Sequence, residues 1–420
     1  MKIQTIIYAT AILLLAGCHG SQKYETRLLR ADQLLELADS VDAAVQVLDS
    51  IGNDARSLSR KQQMRYRLLQ MKARNKQDRL TEADTAFSQV ADYYRRHGSA
   101  NEQVEAIYLL ARAYHNMGRL PQAIDLYQQA DQAADTTRSD CNWKHLFLVH
   151  SQLSQIYSDQ RLPDANLHEL NFMRQYATKA KDTLNLTFCE SWKANTLWDR
   201  GMYDQAVDAE NKANQQLISK GYTTLANGNH TLAIYRLLEQ KRPNEARRLM
   251  DLQENHSGIF DKNGDIDRGR EIYYYSMGWY QLQANHLDSA KHLFYKLLSF
   301  PSDNNCMEAG YRGLFMLYQK TRQVDSIIKY AQLYCNTNDS ALKSLSTEKV
   351  EFIRSQYEYT KYQRIAEEKH QEAKATLYTA CIIVLLLVVV IFLILHTYYI
   401  YKKKQRRKNE LANERYAEAY

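Results

Sequence analysis

A helical hairpin that recurs along most of the chain constrains this sequence more than any other feature. Its marker is an Asx residue two places before a small or apolar one: Asp164 before Asn166, Asp204 before Ala206, Asn244 before Ala246, Asp288 before Ala290 and Asp325 before Ile327. The markers are 40, 40, 44 and 37 residues apart. Asp and Asn side chains accept hydrogen bonds from the open N–H groups of a first helical turn, so each is expected to be the N-cap of the second helix of a pair. A unit of that length cannot bury its apolar face alone, and stacked neighbours must supply the core. The expected fold class is therefore all-α, an α-solenoid of helical hairpins. With 14 Gly and only 4 Pro in 420 residues, 45% hydrophobic and 25% charged, the composition suits ordered helices rather than a disordered chain.

Residues 103–135 form the clearest unit, and they resemble a tetratricopeptide repeat. Ile107, Leu110, Ala111, Tyr114, Gly118, Ala123, Tyr127 and Ala130 stand at that family's spacing. Later units keep part of it: Leu153, Ser154 and Tyr157; Ala194, Leu197, Gly201, Ala206 and Ala213; Leu237, Ala246 and Met250; Tyr274, Met277, Gly278, Ala290 and Phe294; Tyr311, Leu314, Tyr318 and Tyr334. Asn166, Ile234, Gln281 and Phe315 depart from the pattern, and periods above the ideal 34 imply longer helices or loops. Residues 31–51 and 64–98 resemble the opening hairpins of secreted bacterial repeat proteins that end in a membrane helix.

The resemblance implies a tetratricopeptide-like fold over most of residues 25–400, and a concave groove that binds proteins or peptides. By analogy, inner-helix positions facing such a groove are Tyr108, Arg112, His115, Asn116, Gln155, Trp192, Asn195, Trp198, Tyr235, Tyr275, Trp279 and Arg312. Aromatic and Arg side chains are favoured interface anchors. Large aromatics also dominate cores, so packing between repeats is an equal alternative for each, and the 31 Tyr fit either role.

The two ends carry an address. Lys2, the apolar run from Ile6 to Leu15 and then Leu15-Ala16-Gly17-Cys18 form a short secretion signal whose end resembles a bacterial lipobox. That resemblance implies lipidation at Cys18, after removal of residues 1–17. Near the other end, residues 377–401 contain no charge, long enough to cross a bilayer core of about 30 Å as a helix. Tyr378 on one side and Tyr398, Tyr399 and Tyr401 on the other read as interfacial belts, and Lys402, Lys403, Lys404, Arg406, Arg407 and Lys408 mark the cytoplasmic side. The expected organisation is a signal peptide (1–17), a lipidated linker (18–24), a periplasmic repeat domain (25–338), a juxtamembrane helix (339–376), a transmembrane helix (377–401) and a basic cytoplasmic tail (402–420). Apolar helices and lipid anchors belong together in the inner membrane, since the outer one normally accepts barrels. The tail is too short for a folded DNA-binding or kinase module. Residues 340–374 follow an irregular heptad, which permits a homodimer without requiring one.

Other signals point away from nucleic acid, metal and catalysis. The formal charge of +7 equals that of Lys2 and the six cations of the tail; with the −2 balance of residues 409–420 also set aside, about +2 is left for the body, so no basic nucleic-acid-binding face is expected. The segment from Asp261 to Asp267 alternates oxygen ligands as a calcium loop does, but Ile266 stands where a Gly must turn and Ile272 where a bidentate Glu is needed. No metal or other cofactor is expected. The hairpin pattern places Cys306 and Cys335 at one end of an antiparallel pair, where an oxidising compartment could bridge them; buried thiols are the alternative. His145 and His150, five apart, do not share a helix face, and no nucleophile elbow, zinc-binding His pair or phosphate-cradling loop is present. The sequence therefore reads as a membrane-anchored periplasmic scaffold binding protein or peptide, with a transmembrane signal transducer as the alternative, and not as an enzyme.

Overall fold

The computed structural model describes residues 24–52, 57–80, 85–262, 264–300 and 304–418. The expected leader and the Cys18 lipidation site lie outside the described residues. Helix α1 covers residues 24–35, followed by α2 (Val41–Gly52), α3 (Arg60–Lys76), α4 (Thr85–His97), α5 (Ala100–Asn116) and α6 (Leu120–Gln132). Next come α7 (Trp143–Asp159), α8 (Pro163–Lys179), α9 (Thr183–Asp199), α10 (Tyr203–Ser219), α11 (Thr223–Gly228), α12 (Thr231–Glu239) and α13 (Pro243–His256). The last four are α14 (Tyr273–Gln283), α15 (Leu287–Leu297), α16 (Asn304–Thr321) and α17 (Val324–Glu418). Consecutive helices pair as hairpins, α5 with α6, α7 with α8, α9 with α10 and α14 with α15, and each hairpin packs on the next.

The turns within these hairpins correct the expected role of the Asx markers. Arg161, Gly201, Lys241 and Asn285 adopt positive φ of 49°, 80°, 58° and 67°. The following N–H then turns back to a carbonyl five residues earlier: Leu162 to Tyr157 (2.8 Å), Met202 to Leu197 (2.9 Å), Arg242 to Leu237 (2.8 Å) and His286 to Gln281 (2.9 Å). This is Schellman closure of the first helix, and only Gly adopts such a backbone without strain. Because the next helix starts immediately, its cap position falls to Leu162, Met202, Arg242 or His286, none of which caps through its side chain. Asp164, Asp204, Asn244 and Asp288 are second helical residues, where the acids face the positive end of the helix dipole. Asp164 and Asp204 also reach Arg200 (3.1 Å) and Arg236 (2.9 Å) farther along the chain. Side-chain capping appears before other helices instead, with capping boxes at Ser59 and Ser99.

The core runs along the stack in segments. One apolar cluster spans α1 to α3, a second spans α3 to α9 around Ile107, Tyr127 and Leu146, and a third spans α12 to α17 around Phe294. Between the last two lies a small apolar cluster, Ala194, Leu197, Ala206, Ala209 and Leu232, set among a seam of buried polar groups: Asn166, Thr187, Glu190, Thr196, Glu210, Asn214, His230 and Gln253. Here the first helix of a hairpin is split into α11 and α12. Asn214 donates to the Asn229 carbonyl at the break (2.6 Å), and Glu210 accepts from the N–H groups of Leu232 (3.0 Å) and Ala233 (2.9 Å). A carboxylate from α10 thus satisfies the first turn of α12, as an N-cap would. Glu210 is 2% exposed, and burial pushes its pKa up to about 7 although both N–H donors pull the other way.

Among the described residues no strand forms; the loop before α14 closes through an isolated antiparallel bridge between Phe260 and Ile266. Its Asp265 carboxylate is held by Lys296 at 2.7 Å. Cys306 is buried and Cys335 exposed, and both carry thiols rather than a bridge. The chain runs on through Cys335 without a helix end, because α17 extends to Glu418.

The chain divides into two units, Met1–Ile353 and Arg354–Tyr420. In the first, Phe352 of α17 packs against the core of α3 to α9. The second contains the apolar part of α17, whose large side chains from Ile382 to Leu395 are all exposed, with a mean hydropathy of 3.3 over its most apolar 18 residues.

Candidate functional site

Two cavities open on the first helices of successive hairpins. The larger, about 410 Å³, is lined by Trp198 of α9, Tyr203 of α10, Tyr235 and Glu239 of α12, Ile272 before α14, Tyr275 and Trp279 of α14, and Asn305, Glu308, Ala309 and Arg312 of α16. Its rings form a connected series. Trp198 lies 4.7 Å from Tyr203 and 6.3 Å from Tyr235, Tyr235 lies 6.1 Å from Tyr275 and 6.4 Å from Trp279, and Tyr275 lies 5.6 Å from Trp279, all between centroids. The interplanar angles run from 39° to 72°, so the rings wall a space rather than form a flat platform. Burial pushes the Tyr235 and Tyr275 hydroxyls up, and both stay protonated at neutral pH.

Close helix packing sets this wall. Phe294 of α15 is fully buried and lies 6.2 Å from Tyr275. A Cβ at Gly278 would stand 2.5 Å from its ring, one at Gly310 would stand 2.6 Å from Leu298, and Gly313 is packed on the Phe294 ring as well. Glycine at these positions brings α14 and α16 onto α15, and with them Trp279, Glu308 and Arg312.

The second cavity, about 310 Å³, is lined by Phe147, Ser151, Gln152, Ser154, Gln155 and Ser158 of α7, Asn166 and Met173 of α8, and Trp192, Asn195 and Thr196 of α9. Its floor is a hydrogen-bond relay: Ser154 Oγ donates to Asn166 Oδ1 (2.6 Å), Asn166 Nδ2 to Thr196 Oγ1 (3.0 Å), and Thr196 Oγ1 to the Trp192 carbonyl (2.9 Å). Asn166 departs from the repeat pattern, and its amide joins α7 to α9.

Eight of the twelve groove positions expected from sequence line these cavities: Trp198, Tyr235, Tyr275, Trp279 and Arg312 the larger, Gln155, Trp192 and Asn195 the smaller. The other four are engaged elsewhere. Tyr108 is 6% exposed in the core. Arg112 donates to Asn75 Oδ1 (3.1 Å) and Gln152 Oε1 (2.5 Å), tying α3, α5 and α7 together. Asn116 donates to the Leu80 carbonyl (2.6 Å), and the His115 ring lies edge-on to Tyr127 at 6.3 Å. Tyr203, Glu239, Asn305 and Glu308 line the larger cavity without having been singled out. Tyr203 opens a second helix, Glu239 closes a shortened first helix and Asn305 lies in the first turn of one, positions that a repeat consensus does not mark. Only Glu308, four residues before Arg312, was in reach of helical spacing.

Buried charge outside the cavities also escaped the sequence reading. His150 Nδ1 is 2.6 Å from Glu169 and its Nε2 is 3.2 Å from Asp131, joining α6, α7 and α8. Burial disfavours the imidazolium, yet the two carboxylates prevail and its pKa is raised. Lys72 is 9% exposed at its side chain and lies 3.0 Å from Asp32, 2.7 Å from Glu36 and 3.0 Å from Glu105, joining α1, α3 and α5. Each group is satisfied across a helix interface.

No protein-family model and no curated protein sequence matches the chain. Several solved structures are similar to it. The apo form of RapI aligns with a TM-score of 0.58 at 11% identity, covering 80% of this chain and 95% of that one. A Rap protein complexed with competence and sporulation factor has a TM-score of 0.44 at 14% identity, covering 84% and 99%. The apo form of the quorum sensor NprR from B. thuringiensis has a TM-score of 0.49 at 11% identity, covering 81% and 99%. The likeness to RapI is one of fold. With the hairpin geometry above, it makes the chain an all-α, tetratricopeptide-like α-solenoid.

Proposed function

We propose that this protein is a membrane-anchored scaffold whose helical solenoid binds a protein or peptide partner along the first helices of its hairpins. The observation that carries the reading is the pair of cavities between α7 and α16, both lined by those helices and both presenting partly exposed Trp. Half-buried aromatic side chains beside polar groups are the anchors that peptide-binding surfaces use. A lipid at Cys18 and the apolar part of α17 would hold the scaffold at the inner membrane, with the repeats in the periplasm. The side chains of Ile382 to Leu395 are exposed to whatever surrounds the helix, and hydrocarbon is the medium that suits them.

The test is photocrosslinking in intact cells from a reactive residue placed at Asn195, which is exposed on the smaller cavity. The expected result is capture of a periplasmic partner, lost when Gln155 and Trp192 are both changed to Ala while helicity is retained. Crosslinking that does not depend on those residues would sink the groove reading. Arg112 is left unchanged, because its loss would unfasten three helices.

A second reading, transmembrane signalling, draws on α17. The helix that places Phe352 against the core of α3 to α9 is the one that continues into the apolar segment. A ligand that shifts this packing could bias the membrane helix. Partners crosslinked from residues 402–420, and released when periplasmic binding is blocked, would favour it.

A further inference from the structure

We propose that the larger cavity is a cation subsite, taking the guanidinium or ammonium side chain of a basic peptide segment; the inference rests on the groove-binding reading and specifies the ligand chemistry at one of its cavities. An aromatic ring face attracts a cation within about 6 Å of its centroid, Trp most strongly. Two rings of this cavity already hold one: Arg312 lies 6.0 Å from the Tyr275 centroid and Arg236 lies 5.9 Å from that of Tyr203. Trp198, Tyr235 and Trp279, on the same wall, have no such cation among the described residues.

The carboxylates are arranged to match. Glu239 is neutralised by Arg236 at 2.9 Å, and Arg236 also meets Asp204 at 2.9 Å. Glu308 lines the cavity half-buried, with no ion pair among the described residues, although Arg312 is on the same helix four residues on. Rings that hold no cation and a carboxylate in no ion pair share, with Arg312, one space of about 410 Å³, large enough for an extended basic side chain. The tilted rings can meet a cation from several sides and do not form the parallel pair that a flat aromatic ligand needs. An anionic ligand would meet Arg312 but also the open Glu308.

The experiment uses the full chain in lipid nanodiscs, carrying Trp143→Phe and Trp192→Phe so that Trp198 and Trp279 alone emit, titrated with acetyl-tetra-arginine amide and followed by tryptophan fluorescence. Acetyl-tetra-glutamate amide and acetyl-tetra-glutamine amide serve as comparisons. The expected result is a saturable change with the arginine peptide alone, weakened about fivefold by Glu308→Gln and by Trp279→Leu, and left equal or strengthened by Arg312→Ala, which removes a like charge. Thermal melts confirm that each variant is folded, and Glu308→Gln, at a half-buried position, carries the test if Trp279→Leu unfolds. Preference for the glutamate peptide would overturn the proposal. So would weakening by Arg312→Ala as large as that by Glu308→Gln, insensitivity to Glu308→Gln, or no saturable response up to about 5 mM. Crosslinking from Asn195 reads the groove independently: partner capture there without arginine-peptide binding rejects the cation subsite alone, and loss of both rejects the groove reading with it.

Discussion

The two cavities sit on equivalent helices of one solenoid and are built on opposite principles. The larger stands on a dry core, where Phe294 is clamped by glycines of α14 and α16, and keeps its charges at the wall. The smaller stands on a polar relay, Ser154 to Asn166 to Thr196, inside the polar seam. A repeat scaffold can thus vary its ligand chemistry by changing what lies beneath the groove, because each hairpin contacts only its neighbours. Apolar support fixes ring positions through volume, whereas polar support fixes them through hydrogen bonds whose strength depends on protonation and on every partner being present.

The seam joining the cavities offers the largest way to break this arrangement. Folded, Glu210 keeps its proton up to about pH 7, whereas unfolded it releases it near 4.5, so the native state binds more protons in that window and stability falls as pH rises through it. The loss amounts to about 3 kcal/mol by the end of the window. His150, also raised in the native state from its ordinary 6.5, extends the decline above that value. Denaturant melts from pH 4.5 to 8 should show the fall, and Glu210→Gln should flatten its lower part.

Gly278→Ala attacks the dry cavity only. Overpacking against the buried Phe294 ring outweighs the gain in helix propensity, for a net loss of about 2 kcal/mol in chemical denaturation. Arginine-peptide binding should weaken while crosslinking from Asn195 persists. Asn166→Ala is the converse: it strands the Ser154 hydroxyl and costs about 1.5 kcal/mol, and the crosslinking should change while the arginine peptide binds normally. The smallest effect tests the turns that both cavities share. Arg161→Gly relieves a positive-φ position and should raise stability by about 0.5 kcal/mol, and a drop would show that the Arg161 side chain contributes more than its backbone costs.

Hairpin order, apolar register and the apolar segment of α17 were all legible in the sequence, because they follow from periodicity and length. The capping reading was displaced by two residues for a definite reason. A Schellman turn at Arg161 or Lys241 needs positive φ, which residues other than Gly and Asn do not advertise, so the side chains two places on looked like caps. At the groove, analogy with the repeat family led to the Trp and Tyr positions of α9, α12 and α14, and also to Arg112 and Asn116, whose partners belong to neighbouring repeats. Spacing places a residue on a face; it does not say whether a neighbouring hairpin covers that face.

The sequence by itself determined that the chain would be helical, repetitive and apolar enough near one end to suit a bilayer, since local propensity and pattern act within one or two turns of chain. The tertiary structure alone decided which polar groups meet. Glu210 at the first turn of α12, His150 between Asp131 and Glu169, Lys72 among three acids and Glu308 in one cavity with Trp198 and Trp279 are pairings or absences of pairing set by stacked hairpins. Their partners lie far apart in sequence or on separate helices, and burial converts those distances into energies that no local pattern encodes.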